Sequence, residues 1–221
     1  MGALYPLCTA GQASRGTQTV ALQLSETWQG QTRVERQLDA RVQSAFARFY
    51  SDKEVSAMAD ATQWFDQLKL GDPAARAEAA EQLSRMGAEA QPVIPQLVHG
   101  AGDQDEAVRE WCIAALEEVG PPAACQIADL TALAQAADAT VAYWAITLIG
   151  RAGVQGAPAL AVLIDRLAEG NDESVRQRAA WALAAVGRDN SRATAALEAA
   201  AAGNGATAAH ARLALDRLTA A

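Results

Sequence analysis

Histidine, cysteine and the aromatic residues are scarce in this sequence of 221 residues, and each scarcity excludes something. The two histidines, His99 and His210, stand far apart, so no His/Cys/Asp/Glu cluster with metal-ligand spacing forms, and neither a metal nor a cofactor is expected. Cysteine occurs three times, at Cys8, Cys112 and Cys125; an odd count without close spacing argues against a disulfide framework or a zinc site. No run of eighteen apolar residues exists, so no membrane span is expected. The first thirty residues lack a basic start followed by an apolar stretch, so no secretory signal is expected and the location reads as cytoplasmic. No glycine-rich phosphate loop follows a strand, and no constellation of catalytic residues is present.

Positive charge is also short. Lys and Arg number 18 against 26 Asp and Glu, a formal net charge of −8. The imbalance is uneven: residues 1–50 carry five Arg against three acids, and the rest of the chain carries the entire acidic excess. Phosphate contacts need Lys and Arg, so nucleic acid is not expected as a partner.

What the chain does have is a motif that returns four times. The copies are Asp72-Pro-Ala-Ala75-Arg76, Asp105-Glu-Ala-Val108-Arg109, Asp138-Ala-Thr-Val141-Ala142 and Asp172-Glu-Ser-Val175-Arg176. The anchors Ala75, Val108, Val141 and Val175 recur at nearly constant spacing, and Gly87, Gly120, Gly153 and Gly187 each hold the twelfth place past an anchor. A period of about 33 residues means stacked supersecondary units that cannot bury their apolar faces alone. Each Asp reads as a helix N-cap. The fourth, eighth and eleventh places past each anchor are apolar in every copy and form one helical stripe, from Ala79, Leu83 and Met86 to Ala179, Leu183 and Val186. The glycine then ends the helix in a left-handed turn.

A second helix follows each glycine, with Ile94 and Leu97, Ile127 and Leu130, Leu160 and Leu163 inward, and with Thr194 in place of the aliphatic before Leu197. Asn204 reads as the N-cap of a terminal half-repeat. The expected organisation is an irregular segment 1–30, an irregular helix pair 31–71, and a repeat array 72–221. Antiparallel helix pairs make the fold class all-α.

Val175-Arg176-Gln-Arg-Ala179-Ala180-Trp-Ala182-Leu183-Ala-Ala-Val186-Gly187 resembles the repeat of HEAT-like proteins of the phycobilisome-lyase type, and the resemblance extends over roughly residues 52–221. It implies a right-handed α-α superhelix, an armadillo-like solenoid. It also implies a ladder in which the Arg after the anchor bonds the Asp of a neighbouring repeat: Arg76, Arg109 and Arg176 match, and Ala142 breaks it. The paired His-Glu motifs of the deoxyhypusine hydroxylase branch are absent, since neither histidine precedes a Glu.

One pattern is not required by the scaffold. Trp111 and Trp144 hold the third place after their anchors, Tyr143 lies beside Trp144, and Trp181 holds the sixth place in the next repeat. At about 100° per residue these places fall on one flank of the helix, roughly 80° or more from the centre of the apolar stripe. The resemblance implies that this flank faces the concave side. Trp111, Trp144 and Trp181 would then line up in a row, with Glu110, Glu118, Gln177 and Arg178 beside them. The alternative is that the indoles fill space between alanine-rich repeats.

The expected function is a non-catalytic protein–protein interaction or scaffold module, holding a partner segment with basic residues in an aromatic-lined acidic groove. Trp and Tyr are the side chains most enriched in binding hot spots. The alternative, implied by the resemblance, is a bilin-lyase-like enzyme or enzyme subunit holding a flat conjugated ligand.

Overall fold

The structure, a computed structural model, describes residue 61 and residues 63–168 and 171–219. The expectations for residues 1–60 lie outside the described residues; of the supposed helix pair 31–71, only residues 63–70 are described as a helical run.

From residue 73 onward the four repeats appear as helix pairs. The first helices are α1 (Pro73–Met86), α3 (Glu106–Glu118), α5 (Ala139–Arg151) and α7 (Glu173–Val186). The second helices are α2 (Ile94–Gly100), α4 (Ile127–Leu133), α6 (Leu160–Leu167) and α8 (Ser191–Ala201), and α9 (Ala206–Thr219) closes the array. Among the described residues there is no strand.

The starts of the first helices follow the sequence. Asp72 accepts from the Ala75 N–H at 2.9 Å, Asp105 from Ala107 and Val108, Asp138 from Thr140 and Val141, and Asp172 from Ser174. These bonds satisfy N–H groups that have no partner within the helix. The Ser174 hydroxyl and amide together hold the Asp172 carboxyl below its usual value. Asn190 caps α8 in the same way. α9 starts at Ala206, two residues past Asn204.

The stops vary more. Gly87 and Gly153 adopt φ of 55° and 56°, the left-handed turn expected. Gly120 and Gly187 do not. α3 ends because Val119 turns extended ahead of Pro121. Gly187 is needed for space, since a Cβ there would lie 2.5 Å from the Ala193 methyl.

The stripe is the core. Ala79, Leu83, Val108, Cys112, Leu116, Ala145, Ile149, Ala179 and Leu183 are fully buried, joined by Ile94, Leu97, Leu130, Leu163 and Leu197 from the second helices. α1 packs along α3, and α5 and α9 along the two sides of α7, whereas α3 and α5 touch little directly and α2, packed against both, bridges them. Gln126 braces the second layer: its amide donates to the Gln91 and Pro92 carbonyls of the preceding repeat while its Oε1 caps Ala123.

The cysteines divide. Cys112 is free and fully buried on the stripe, and burial, with the Asp103 charge second, pushes its thiol up to about 12. The thiolate is the reactive species, so Cys112 in the folded protein should resist alkylation at pH 8 and react at the rate of a free thiol only in denaturant. Alkylation followed by intact mass measures this. Cys125 is disulfide-bonded.

Only one rung of the expected Arg–Asp ladder forms among the described residues. Arg76 grips Asp103 with both prongs, Nε to Oδ2 at 3.0 Å and Nη2 to Oδ1 at 2.9 Å. Arg109 turns back onto the carbonyls of Asp103 and Gln104. Ala136 holds the place after Arg109 that Asp103 holds after Arg76. Ala142 breaks the series as expected. At Asp103, partial burial works to raise the carboxyl, but the Arg76 bonds, the Asp105 N–H and the Arg76 charge outweigh it, and the value is lowered. A lowered folded-state value means the rung stabilises fully above the unfolded carboxylate value of about 3.9 and loses that contribution as pH falls through the folded one. Asp103→Asn should therefore lower the thermal midpoint at pH 7 and remove part of the loss of stability below pH 4. Melts across pH 2–7 compare the two chains.

Candidate protein-interaction surface

The aromatic flank is built from α3, α5 and α7, and the structure treats its members differently. Trp111 is the open one, with 39% of its surface exposed on α3. Glu110 and Glu118 on the same helix are exposed and Gln177 on α7 is half-buried.

Trp144 has the same place in its helix as Trp111 but is buried, 9% exposed. An open row of three indoles is therefore not what forms. The third place lies at the edge of the stripe, where cover decides the outcome. α5 is buried along almost its whole length, and the Tyr143 ring stands edge-on to Trp144 with centroids 5.8 Å apart.

Tyr143 and Trp181, both half-buried, enclose a cation. The Arg178 guanidinium sits 4.4 Å from the Tyr143 centroid and 5.2 Å from the Trp181 centroid, and it donates to the Tyr143 hydroxyl. Cation–π attraction on two faces plus a hydrogen bond holds this side chain in place, so little ordering entropy remains to be lost on binding. The sequence placed Arg178 beside the row of indoles; the structure places its guanidinium over the Tyr143 and Trp181 rings.

Two further residues complete this cluster, and the sequence reading missed the first of them. Gly150 lies under the Trp181 indole so closely that a Cβ would overlap the six-membered ring. Its signal was available, because a glycine inside a helix costs about 1 kcal/mol relative to alanine and calls for a packing reason. Arg151 crosses to α3 and donates to the Leu116 and Val119 carbonyls at 2.7 and 3.1 Å, closing the end of that helix from the next repeat. Burial, followed by the Arg178 charge, lowers its value. The flank is thus acidic on α3 and basic toward α7, rather than uniformly acidic.

Among the described residues no group of three or more His, Cys, Asp or Glu could hold a metal ion, and no helix is long and apolar enough to cross a membrane. A cavity of about 550 Å³ lies elsewhere, walled by Phe65, Leu68, Pro95, His99 and Leu133 beside the Arg76–Asp103 rung.

The fold and this flank define an all-α solenoid that presents side chains along stacked first helices. Residues 61–129 match the family of HEAT repeats. The same capped helix pair continues through Val186, giving a HEAT-like α-α solenoid. No curated protein matches the chain. Among solved structures it is similar to an engineered protein (21% identity, 73% of this chain and 78% of that one, TM-score 0.49). It is also similar to the complex of CpcE and CpcF of phycocyanin lyase from Nostoc sp. PCC7120 (19%, 71% and 98%, 0.49). A designed armadillo repeat protein in complex with the peptide (KR)4 is a third (18%, 72% and 87%, 0.48).

Proposed function

We propose that this protein is a non-catalytic interaction scaffold that holds a segment of a protein partner against the flank formed by α3, α5 and α7. The observation that carries the reading is the pairing of an exposed Trp111 with a pre-ordered Tyr143–Arg178–Trp181 cluster. These residue types dominate binding energies at interfaces. Trp144 supports the cluster from beneath rather than touching the partner. Glu110 and Glu118 favour a segment with basic residues over α3, with Gln177 as a neutral hydrogen-bonding neighbour and Arg178 selecting an acidic or carbonyl group over α7. Complementary charge would act chiefly on the association rate.

The flank offers side chains suited to recognition, which is the role assigned to it here. A cytoplasmic location accords with the chain's composition, and a fluorescent fusion in the source cell tests it.

The test is binding of fluorescent peptides to the full chain. A Lys-rich peptide carrying one Asp should bind in a salt-sensitive manner, and Arg178→Glu should weaken it. Equal binding of a Glu-rich peptide would contradict the charge assignment. An absorption band above 350 nm in protein purified from its source would favour the flat-ligand alternative instead.

A further inference from the structure

Arg76 and Arg176 hold the same place, one residue past the anchor, in the first and fourth repeats. Arg76 has a carboxylate: Asp103 stands in the next repeat, three places before Glu106, the first residue of α3. Gly203 holds the corresponding place after Arg176, likewise three before Ala206, the start of α9. Glycine supplies no acid. Arg109, whose acid is likewise missing, is satisfied by backbone carbonyls. Arg176 is not satisfied in that way, and its buried Nε has no hydrogen-bond partner among the described residues.

The space left by the missing carboxylate is a cavity of about 360 Å³ between α6, α8 and the start of α9. Arg176, Gly203, Asn204 and Thr207 line it, with Leu167 and Ala200 among its apolar walls. Thr207 is 9% exposed, and its Oγ1 is buried without a partner among the described residues as well. Two unpaired buried polar groups at one cavity are costly unless something binds there. The cavity also meets the positive end of the 14-residue helix α9. Arg176 is its one charged lining residue among those described, and the nearby Asp172 is committed to Ser174.

We propose that this cavity is a binding site for a single carboxylate, received by the Arg176 guanidinium with the Thr207 hydroxyl donating to it. The Arg76–Asp103 pair shows the geometry within the same molecule: a planar, two-pronged grip on one carboxylate. A guanidinium matches a carboxylate in this way. One cation in an array of net charge −8 suits a monoanion better than a phosphate dianion. The carboxylate comes from a peptide C-terminus or an acidic side chain, and the site is independent of the aromatic flank.

The experiment is an NMR titration of the full chain with sodium acetate at constant ionic strength, following the Gly203 and Thr207 amides and the Arg176 Nε–Hε. Saturable shifts confined to this cavity are expected. Arg176→Gln should weaken acetate by about tenfold or more, the loss of a charge-assisted hydrogen bond. Gly203→Asp guards against a merely unfolded variant: φ there is not left-handed, and a Cβ meets the Ala200 carbonyl oxygen at 3.3 Å, so a small shift admits it. It should restore the rung, raise the thermal midpoint and abolish the acetate response. Acetyl-Gly-Gly and acetyl-Asp-amide then separate a chain end from a side chain as the source. Shifts that never saturate, shifts unchanged in both variants, or tighter binding of inorganic phosphate than of acetate would each overturn the proposal.

Discussion

Trp144→Ala should lower the stability of the folded chain by about 3–5 kcal/mol, the range for deleting a buried indole. The side chain is 9% exposed, lies on a helix buried along most of its length, and meets the Tyr143 ring edge-on. Truncation leaves a cavity in the middle repeat, where neighbours on both sides are fixed by their own caps. It also removes the support beneath Tyr143, so the Arg178 sandwich should loosen. Urea melts followed by far-ultraviolet circular dichroism give the stability, and the near-ultraviolet signal of the aromatic rings reports the loosening. A midpoint equal to that of the parent chain would mean that the indole lies open to solvent.

Leu183→Ala should cost about 2–5 kcal/mol, and Leu116→Ala a similar amount, by the same loss of buried surface plus an unfilled cavity. Both leucines are fully buried on the stripe, on α7 and α3. Their effects should differ in where they appear. α7 packs directly along α5 and α9, while α3 packs along α1 and only weakly along α5. In a repeat array the contacts are local, so unfolding can divide at a weak junction. Hydrogen exchange should show Leu116→Ala exposing α1–α3 first and Leu183→Ala exposing α5–α9 first. Uniform loss of protection in both variants would mean that the α3–α5 junction is no weaker than the others.

Much of this fold was legible because independent signals coincide in register. Asp at the cap, apolar residues at the fourth, eighth and eleventh places, and a stop at the twelfth agree in four copies, and each has a separate physical cause. The stops were overread, since glycine at 120 and 187 serves a Pro-led exit and a close contact rather than a left-handed turn. The ladder was overread too. Position along one helix shows where Arg109 and Arg176 start, but the partner must come from the next repeat, at the places that Ala136 and Gly203 hold.

The aromatic flank was legible as a place and not as a surface. Trp111 and Trp144 share one helical position and differ fourfold in exposure, 39% against 9%. Cover from a neighbouring repeat decides that, and a helical wheel does not contain it. Glu78 and Arg178 at the same place show how freely the residue type varies there. The Gly150–Trp181 contact and the Arg151 bonds to α3 are likewise long-range; only the interior glycine left a trace in the sequence.

The most direct test of the interaction reading is the affinity of Trp111→Ala for the partner recovered from the source cell with the parent chain as bait. Trp111 is exposed, so its removal should leave the thermal midpoint nearly unchanged. The account predicts binding weakened by about 2 kcal/mol or more, roughly 30-fold in Kd. An unchanged Kd, or a loss that only tracks unfolding, would contradict it.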